Sequence, residues 1–255
     1  MLEKLESAQG LEKILDRISW DDVDFAVITG DLVHEGNAED YAYFNEILKT
    51  KVPVGIPVFP VLGNHDEKAA FYAGMLNEQI HKPYYYKEYM GDYRLIMLDS
   101  AVPGKESGYV IEEELEWLKE VLREPYGKGT VVFLHHPLIW SADGGGTMVA
   151  KNAGAVLDIL EKSDVFAVFC GHTHQNSTEF SNGIFQSTSD SAAFSLEIRG
   201  DELAFTKKSG YCIVQVDDQS VSVHHEISDT YDAVLSMSLE SFADALKKMD
   251  DEEQQ

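Results

Sequence analysis

Four apolar, β-branched runs in this chain each stop at a polar group, and this repeated design limits the fold more than any other feature. Val27-Ile28-Thr29-Gly30-Asp31 and Val61-Leu62-Gly63-Asn64-His65-Asp66 break at a glycine. Val131-Val132-Phe133-Leu134-His135-His136-Pro137 and Phe166-Ala167-Val168-Phe169-Cys170-Gly171-His172-Thr173-His174 follow the same plan. Such runs read as buried strands of one sheet, and open α/β sheets bind ligands just beyond the carboxyl ends of their strands. The polar groups therefore converge. They comprise one carboxylate, one carboxamide and several imidazoles, a set suited to Mn, Fe or Zn rather than to Ca, which takes all-oxygen shells. Each glycine removes a Cβ where the backbone turns sharply and passes close to a bound ion.

Between the runs the apolar spacing is helical. Leu11, Ile14, Leu15 and Ile18 predict a helix over 11–19; Tyr41, Phe44, Ile47 and Leu48 predict another over 38–49. Further helices are expected at 67–80, 111–123 and 150–162, and Tyr84-Tyr85-Tyr86 and 93–99 form a hairpin turning at Gly91-Asp92. The tyrosines, with no basic groove beside them, are expected to pack rather than to stack on bases. Alternating helix and strand implies a largely parallel sheet. After His174 short strands follow at 176–180, 184–188, 194–199, 211–216 and 220–227, which predict an antiparallel second sheet. Two sheets packed face to face with helices outside make a four-layer α/β/β/α sandwich. Residues 1–228 form that domain. In residues 229–255, Val234, Leu235, Met237, Leu239, Phe242 and Leu246 predict an amphipathic helix, docked on its own domain or on a partner, before an acidic end.

A net charge of -25, from 45 acidic against 20 basic residues, excludes a general binder of nucleic-acid polymers or anionic membranes. A small phosphorylated substrate would need local positive potential, which bound cations supply. The two cysteines, Cys170 and Cys212, lie in apolar runs and read as core thiols of a reducing compartment. With no apolar run long enough to span a bilayer, and no apolar stretch in Met1 to Gly10, the expected location is cytoplasmic. Ser141 to Thr147, with glycines at 144, 145 and 146, reads as a mobile substrate cover or a plain connector.

The nine histidines fall into groups. His34, His81, His224 and His225 lie in loops or on a peripheral strand and take solvated or packed roles. His65, His135, His172 and His174 stand at strand ends. His135 and His136 cannot both enter one coordination shell from an extended backbone, so one of them lines the pocket or bonds to the loop that Pro137 stiffens.

Gly-Asp, Gly-Asn-His-Asp, His-His-Pro and Gly-His-Thr-His, in that order and each after a strand, resemble the calcineurin-like metallophosphoesterase family, above all its bacterial branch of cyclic-nucleotide and other phosphodiesterases. The resemblance implies hydrolysis of phosphodiester bonds by a metal-held hydroxide, with divalent Mn, Fe or Zn ions, two in the family, as cofactors. It implies that Asp31 bridges the ions, that Asn64, His135 and His172 complete one site, and that His174 serves the other. Relatives with His-Ser-Pro place the ligand role on His135. His65 would donate a hydrogen bond or proton toward the leaving oxygen, with Asp66 orienting it. Relatives also open with a strand ending in Asp-x-His. No Asp-x-His occurs here, and Asp21, Asp22 and Asp24 precede their strand, at the wrong end of the sheet. Three accounts follow: a first strand lies upstream of Met1, the site works with one metal, or the chain is a catalytically weak relative serving as a sensor or interaction protein. A missing first strand would also leave sheet neighbours unpaired, favouring self-association.

Overall fold

The computed structural model describes residues 7–34, 36–140, 146–218, 220–229 and 233–253, and these form two compact units. The larger comprises Trp20–His172 and Thr178–Ser187; the other comprises Met1–Ser19, Thr173–Ser177 and Thr188–Gln255.

In the larger unit, β1 (Ala26–Thr29) pairs in parallel with β2 (Val58–Val61), Thr29 opposite Val61. A separate six-stranded sheet is built from β3 (Tyr86–Met90), β4 (Tyr93–Met97), β5 (Gly129–Phe133), β6 (Val165–Cys170), β7 (Ser177–Ser181) and β8 (Ile184–Thr188), in the order β3-β4-β5-β6-β8-β7. Its centre is parallel: Met97 lies opposite Phe133, and Phe133 opposite Phe169. Their chains therefore leave the sheet at one level, which sets His135 and the Gly171-His172 turn side by side. The four motif strands thus occupy two sheets rather than one. β5 is buried along its whole length, whereas β1 is only half-buried. Four residues paired on one side cannot make the continuous buried strand that the Val27 run suggests.

Helices α2 (Ala38–Lys51), α3 (Lys68–Met75), α4 (Glu112–Val121) and α5 (Ala153–Leu160) follow, after α1 (Ser7–Arg17) of the other unit. Asn37 caps α2 through a reciprocal box with Asp40, and Tyr41, Phe44, Ile47 and Leu48 face inward as their spacing requires. Leu115, Leu118, Val156 and Leu160 of α4 and α5 pack with Ile96, Val132, Leu134 and Val168 of the sheet. α3 stops well short of residue 80, at Leu76, because Asn77 adopts a left-handed backbone (φ 56°). β3 and β4 turn at Gly91-Asp92 as expected. Tyr84 packs against Phe71, Tyr72 and Tyr86, and Tyr85 against Trp117, so the tyrosines are packing groups.

The second unit contains α1, a three-stranded antiparallel sheet and a hairpin. β9 (Ser195–Arg199), β10 (Glu202–Thr206) and β13 (Ala233–Ser238) form the sheet in the order β13-β10-β9; β11 (Ser209–Val216) and β12 (Val221–Asp229) form the hairpin. Two expectations change. Strands β7 and β8 extend the six-stranded sheet instead of founding a second one, and the terminal helix α6 begins only at Leu239, running to Glu253. Leu235 and Met237 take register positions opposite Phe205 and Leu203, so their spacing of two is that of a strand. Residues 141–145 of the expected cover lie outside the described residues. Cys170 and Cys212 are free thiols. Among the described residues no helix is long and apolar enough to cross a membrane.

Candidate metal centre

Beyond β1 the chain turns through two left-handed residues, Gly30 (φ 95°) and Asp31 (φ 53°), and beyond β6 through His172 (φ 67°). Such a backbone is uncommon for residues other than glycine, Asp and His being among the better-tolerated exceptions, and it collects at functional sites. The glycines serve the ligands more directly than expected. A Cβ at Gly63 would lie 2.2 Å from Asp31 Oδ1, and one at Gly30 would lie 2.4 Å from His135 Nδ1. These two positions admit no side chain because the polar groups themselves occupy the space.

Four side chains meet there. His135 Nε2 stands 3.0 Å from Asn64 Oδ1, 3.2 Å from Asp31 Oδ2 and 3.2 Å from His172 Nδ1, while His172 Nδ1 is 3.0 Å from Asn64 Oδ1. His135 Nδ1 lies 2.7 Å from the carbonyl oxygen of Thr29 and must donate its hydrogen there, which leaves a lone pair on Nε2 of the neutral ring. Asn64 Nδ2 donates to Glu106 Oε2 at 2.8 Å, which turns the carboxamide oxygen toward the cluster. Asp31 Oδ1 accepts the backbone N–H of His65 at 3.0 Å, leaving Oδ2 for the cluster. An imidazole nitrogen, a carboxamide oxygen and a carboxylate oxygen thus face one another without a hydrogen of their own between them.

A hydrogen on His172 Nδ1, a proton on His135 Nε2 or a bound cation resolves that arrangement. Burial opposes charge on His135, but the facing Asp31 carboxylate and the Thr29 carbonyl outweigh it, and the imidazole pKa is raised. Asp31 responds in the opposite sense: burial would raise its pKa, yet His135 and His65 hold the carboxyl well below its usual range. A divalent ion replaces the proton with stronger attraction. Metal bonds of about 2.0–2.2 Å put adjacent octahedral ligands about 3 Å apart, which is the spacing of these atoms. The residues fit a transition-metal ion.

His136 is excluded from that shell, although one of its ring nitrogens lies within 4.8 Å of a ring nitrogen of His135 and of His172. Its Nε2 donates to the Glu106 carbonyl at 2.9 Å and its Nδ1 accepts from Ser100 Oγ at 2.9 Å, so both nitrogens are committed and the side chain is fully buried. Of the two adjacent histidines, His135 is the one that enters the cluster.

Asp66 takes a task different from orienting His65. Its Oδ1 accepts Leu32 N–H and Tyr41 Oη–H, and its Oδ2 accepts Gly63 N–H at 2.8 Å. It therefore ties the Asp31 loop to the Asn64 loop. Burial pushes its pKa up to about 6 against the lowering pull of those donors. The half-buried His65 ring packs instead on His34, with centroids 4.5 Å apart, which brings a histidine read as peripheral into the site. His174 belongs to the second unit, where it adopts φ 51° and its Nδ1 lies 2.9 Å from the Phe194 carbonyl. Glu106 and Ser100 carry no motif, and Tyr41 is legible in the sequence only as an inward position of its helix.

Residues 6–176 match the calcineurin-like phosphoesterase family, two thirds of the chain and all four motifs. The chain belongs to that family. A probable cyclic nucleotide phosphodiesterase of Rhodococcus erythropolis is 28% identical over 204 residues, covering 78% of this chain and 68% of that protein. A probable glycerophosphodiester phosphodiesterase of Arcobacter nitrofigilis is 31% identical over 196 residues, covering 71% and 68%. This calcineurin-like phosphoesterase spans 56% of a cAMP/cGMP dual specificity phosphodiesterase of Mycobacterium tuberculosis and 69% of a probable cyclic nucleotide phosphodiesterase of Psychrobacter arcticus. Its fold is that of a dimetal phosphatase from Danio rerio, with a TM-score of 0.58, 16% identity, and coverage of 88% and 89%. The expected fold class, α/β of the metallophosphoesterase type, is therefore the observed one, and divalent metal ions are the cofactors such a family implies.

Proposed function

We propose that this chain hydrolyses small phosphodiesters at a transition-metal centre held by Asp31, Asn64, His135 and His172. The observation that carries the reading is the convergence of Asp31 Oδ2, Asn64 Oδ1 and His172 Nδ1 on His135 Nε2 at 3.0–3.2 Å, with His135 Nδ1 already committed to Thr29. A divalent ion bound there polarises a phosphoryl oxygen and lowers the pKa of water toward neutrality. Each residue then has its own part. Asp31 brings the one negative charge of the set, while Asn64 and the imidazoles are neutral and leave the centre cationic enough to attract a phosphate. Asp66 keeps the two ligand loops in register. His65, whose main chain bonds Asp31 and whose ring lies outside the cluster, donates a proton to the leaving oxygen. Manganese, iron and zinc all suit this set. The overall charge of -25 favours small substrates over polyanions, and free thiols at Cys170 and Cys212 favour the cytoplasm.

One observation favours a second reading. With no Asp-x-His in the chain, a second ion has few ligands, and a metal- or phospho-ligand-binding relative with weak catalysis results. Hydrolysis of bis-(p-nitrophenyl) phosphate by protein reconstituted with Mn²⁺, compared with p-nitrophenyl phosphate and cyclic nucleotides, separates the two. Diester cleavage that disappears with chelator is the expected result; metal binding without turnover would favour the second reading, and a strong preference for monoesters would contradict the first.

A further inference from the structure

We infer that Glu106 is a positioning residue for the metal centre, fixing which end of the Asn64 carboxamide meets the ion; this rests on the metal centre proposed above. An asparagine side chain has nearly the same shape when its oxygen and nitrogen exchange places, but the two ends differ in sign. With the oxygen inward Asn64 is a ligand; with the amide nitrogen inward it presents two hydrogens to a cation. Glu106 Oε2, accepting Asn64 Nδ2 at 2.8 Å, favours one end only.

The carboxylate is held where it can do this. It belongs to the segment between β4 and α4, and that segment is anchored on His136, the histidine that does not enter the cluster. His136 Nε2 donates to Glu106's own carbonyl, and Ser100 Oγ, at the start of the same segment, bonds His136 Nδ1. Gly108 passes so close to the ring that a Cβ there would fall 2.4 Å from His136 Cγ. Farther along, Gly108 O accepts Lys151 N–H at 2.7 Å. His135 and His136, adjacent in sequence, thus divide the labour: one offers its lone pair to the ion, and the other fixes the loop whose glutamate orients a second ligand. Partners of this kind behind a metal ligand are worth about 10–100-fold in affinity.

The test is a sign reversal in Mn²⁺ affinity, measured by equilibrium dialysis against a chelator. In the natural Asn64 background, Glu106→Ala should weaken Mn²⁺ binding about 10-fold or more. Glu106→Gln, which can still offer an oxygen to Asn64 Nδ2, should fall between the two. Asn64→Asp has two equivalent oxygens, needs no orienting partner and is repelled by Glu106; in that background Glu106→Gln, whose amide can donate to the carboxylate introduced at position 64, should strengthen binding. A residue that merely holds the loop together would weaken binding in both backgrounds, and that result overturns the inference, as does unchanged affinity in Glu106→Ala. If Glu106→Ala does not fold, the comparison of Asn64→Asp with and without Glu106→Gln decides alone. Absence of Mn²⁺ binding by the natural protein would remove the metal centre and the inference together, whereas normal binding with insensitive Glu106 variants removes the inference only.

Discussion

His135 Nε2 and Asn64 Oδ1 approach to 3.0 Å although the hydrogens of both groups are spent elsewhere, on Thr29 O and on Glu106 Oε2. Two acceptors held that close, with Asp31 Oδ2 at 3.2 Å from the same nitrogen, cost free energy until a hydrogen from His172 Nδ1 or a positive charge meets them. Here that cost is the mark of a site organised before its ligand binds.

Ligand and proton donor should separate cleanly. Asp31→Ala removes the only carboxylate of the cluster and should abolish metal retention. His65→Ala should leave metal bound and slow diester turnover by roughly 10²–10⁴-fold. Metal analysis alongside kinetics reads both, and loss of metal from the His65 variant would show that its role had been mistaken.

Metal affinity should depend on pH in one direction. The ion and a proton compete for His135, whose pKa is raised by Asp31 once its burial is overcome. Below that pKa a proton must leave for each ion bound, so affinity falls as pH falls; above it the dependence flattens. Dialysis between pH 5 and 8 should show about one decade per pH unit at the acid end. Affinity flat across this range would contradict protonation at the cluster.

Asp66→Asn should act first on stability. The substitution turns one of the two oxygens into an amide nitrogen: with the remaining oxygen kept toward Leu32 N–H and Tyr41 Oη–H, the nitrogen faces Gly63 N–H, where a carboxylate accepted all three. A buried mismatch of this kind costs about 1–3 kcal/mol. Thermal melting in chelator should therefore drop by several degrees before any catalytic effect is considered. An unchanged melting temperature with impaired turnover would return Asp66 to the role of orienting His65.

Much of this was legible in the chain because strand interiors and helix faces advertise themselves. β5 and β6 read as apolar runs since both faces are covered, and Tyr41, Phe44, Ile47 and Leu48 keep a helical period. What stayed hidden was set by partners distant in sequence. Nothing in Val27-Ile28-Thr29 says that, among the described residues, β1 pairs only with β2, outside the larger sheet. Ser177–Ser181 and Ile184–Thr188 look like any hairpin, and only the neighbouring edge of β6 decides which sheet they join. Val234, Leu235 and Met237 satisfy a strand and a helix equally well until β10 selects the strand. At the site, the Gly-Asp and Gly-Asn-His-Asp turns mark ligands, but Glu106, 42 residues from Asn64, lies in a segment with no motif.

The most direct measurement is a count of tightly bound transition metal per chain, by elemental analysis of protein loaded with Mn²⁺ and dialysed free of excess, beside His135→Ala treated identically. One equivalent in the natural chain, lost in the variant, is the predicted result, since the proposed centre of Asp31, Asn64, His135 and His172 offers ligands for a single ion. No retained metal, or metal retained equally by His135→Ala, would contradict the centre described here; two tight equivalents would require ligands beyond these four.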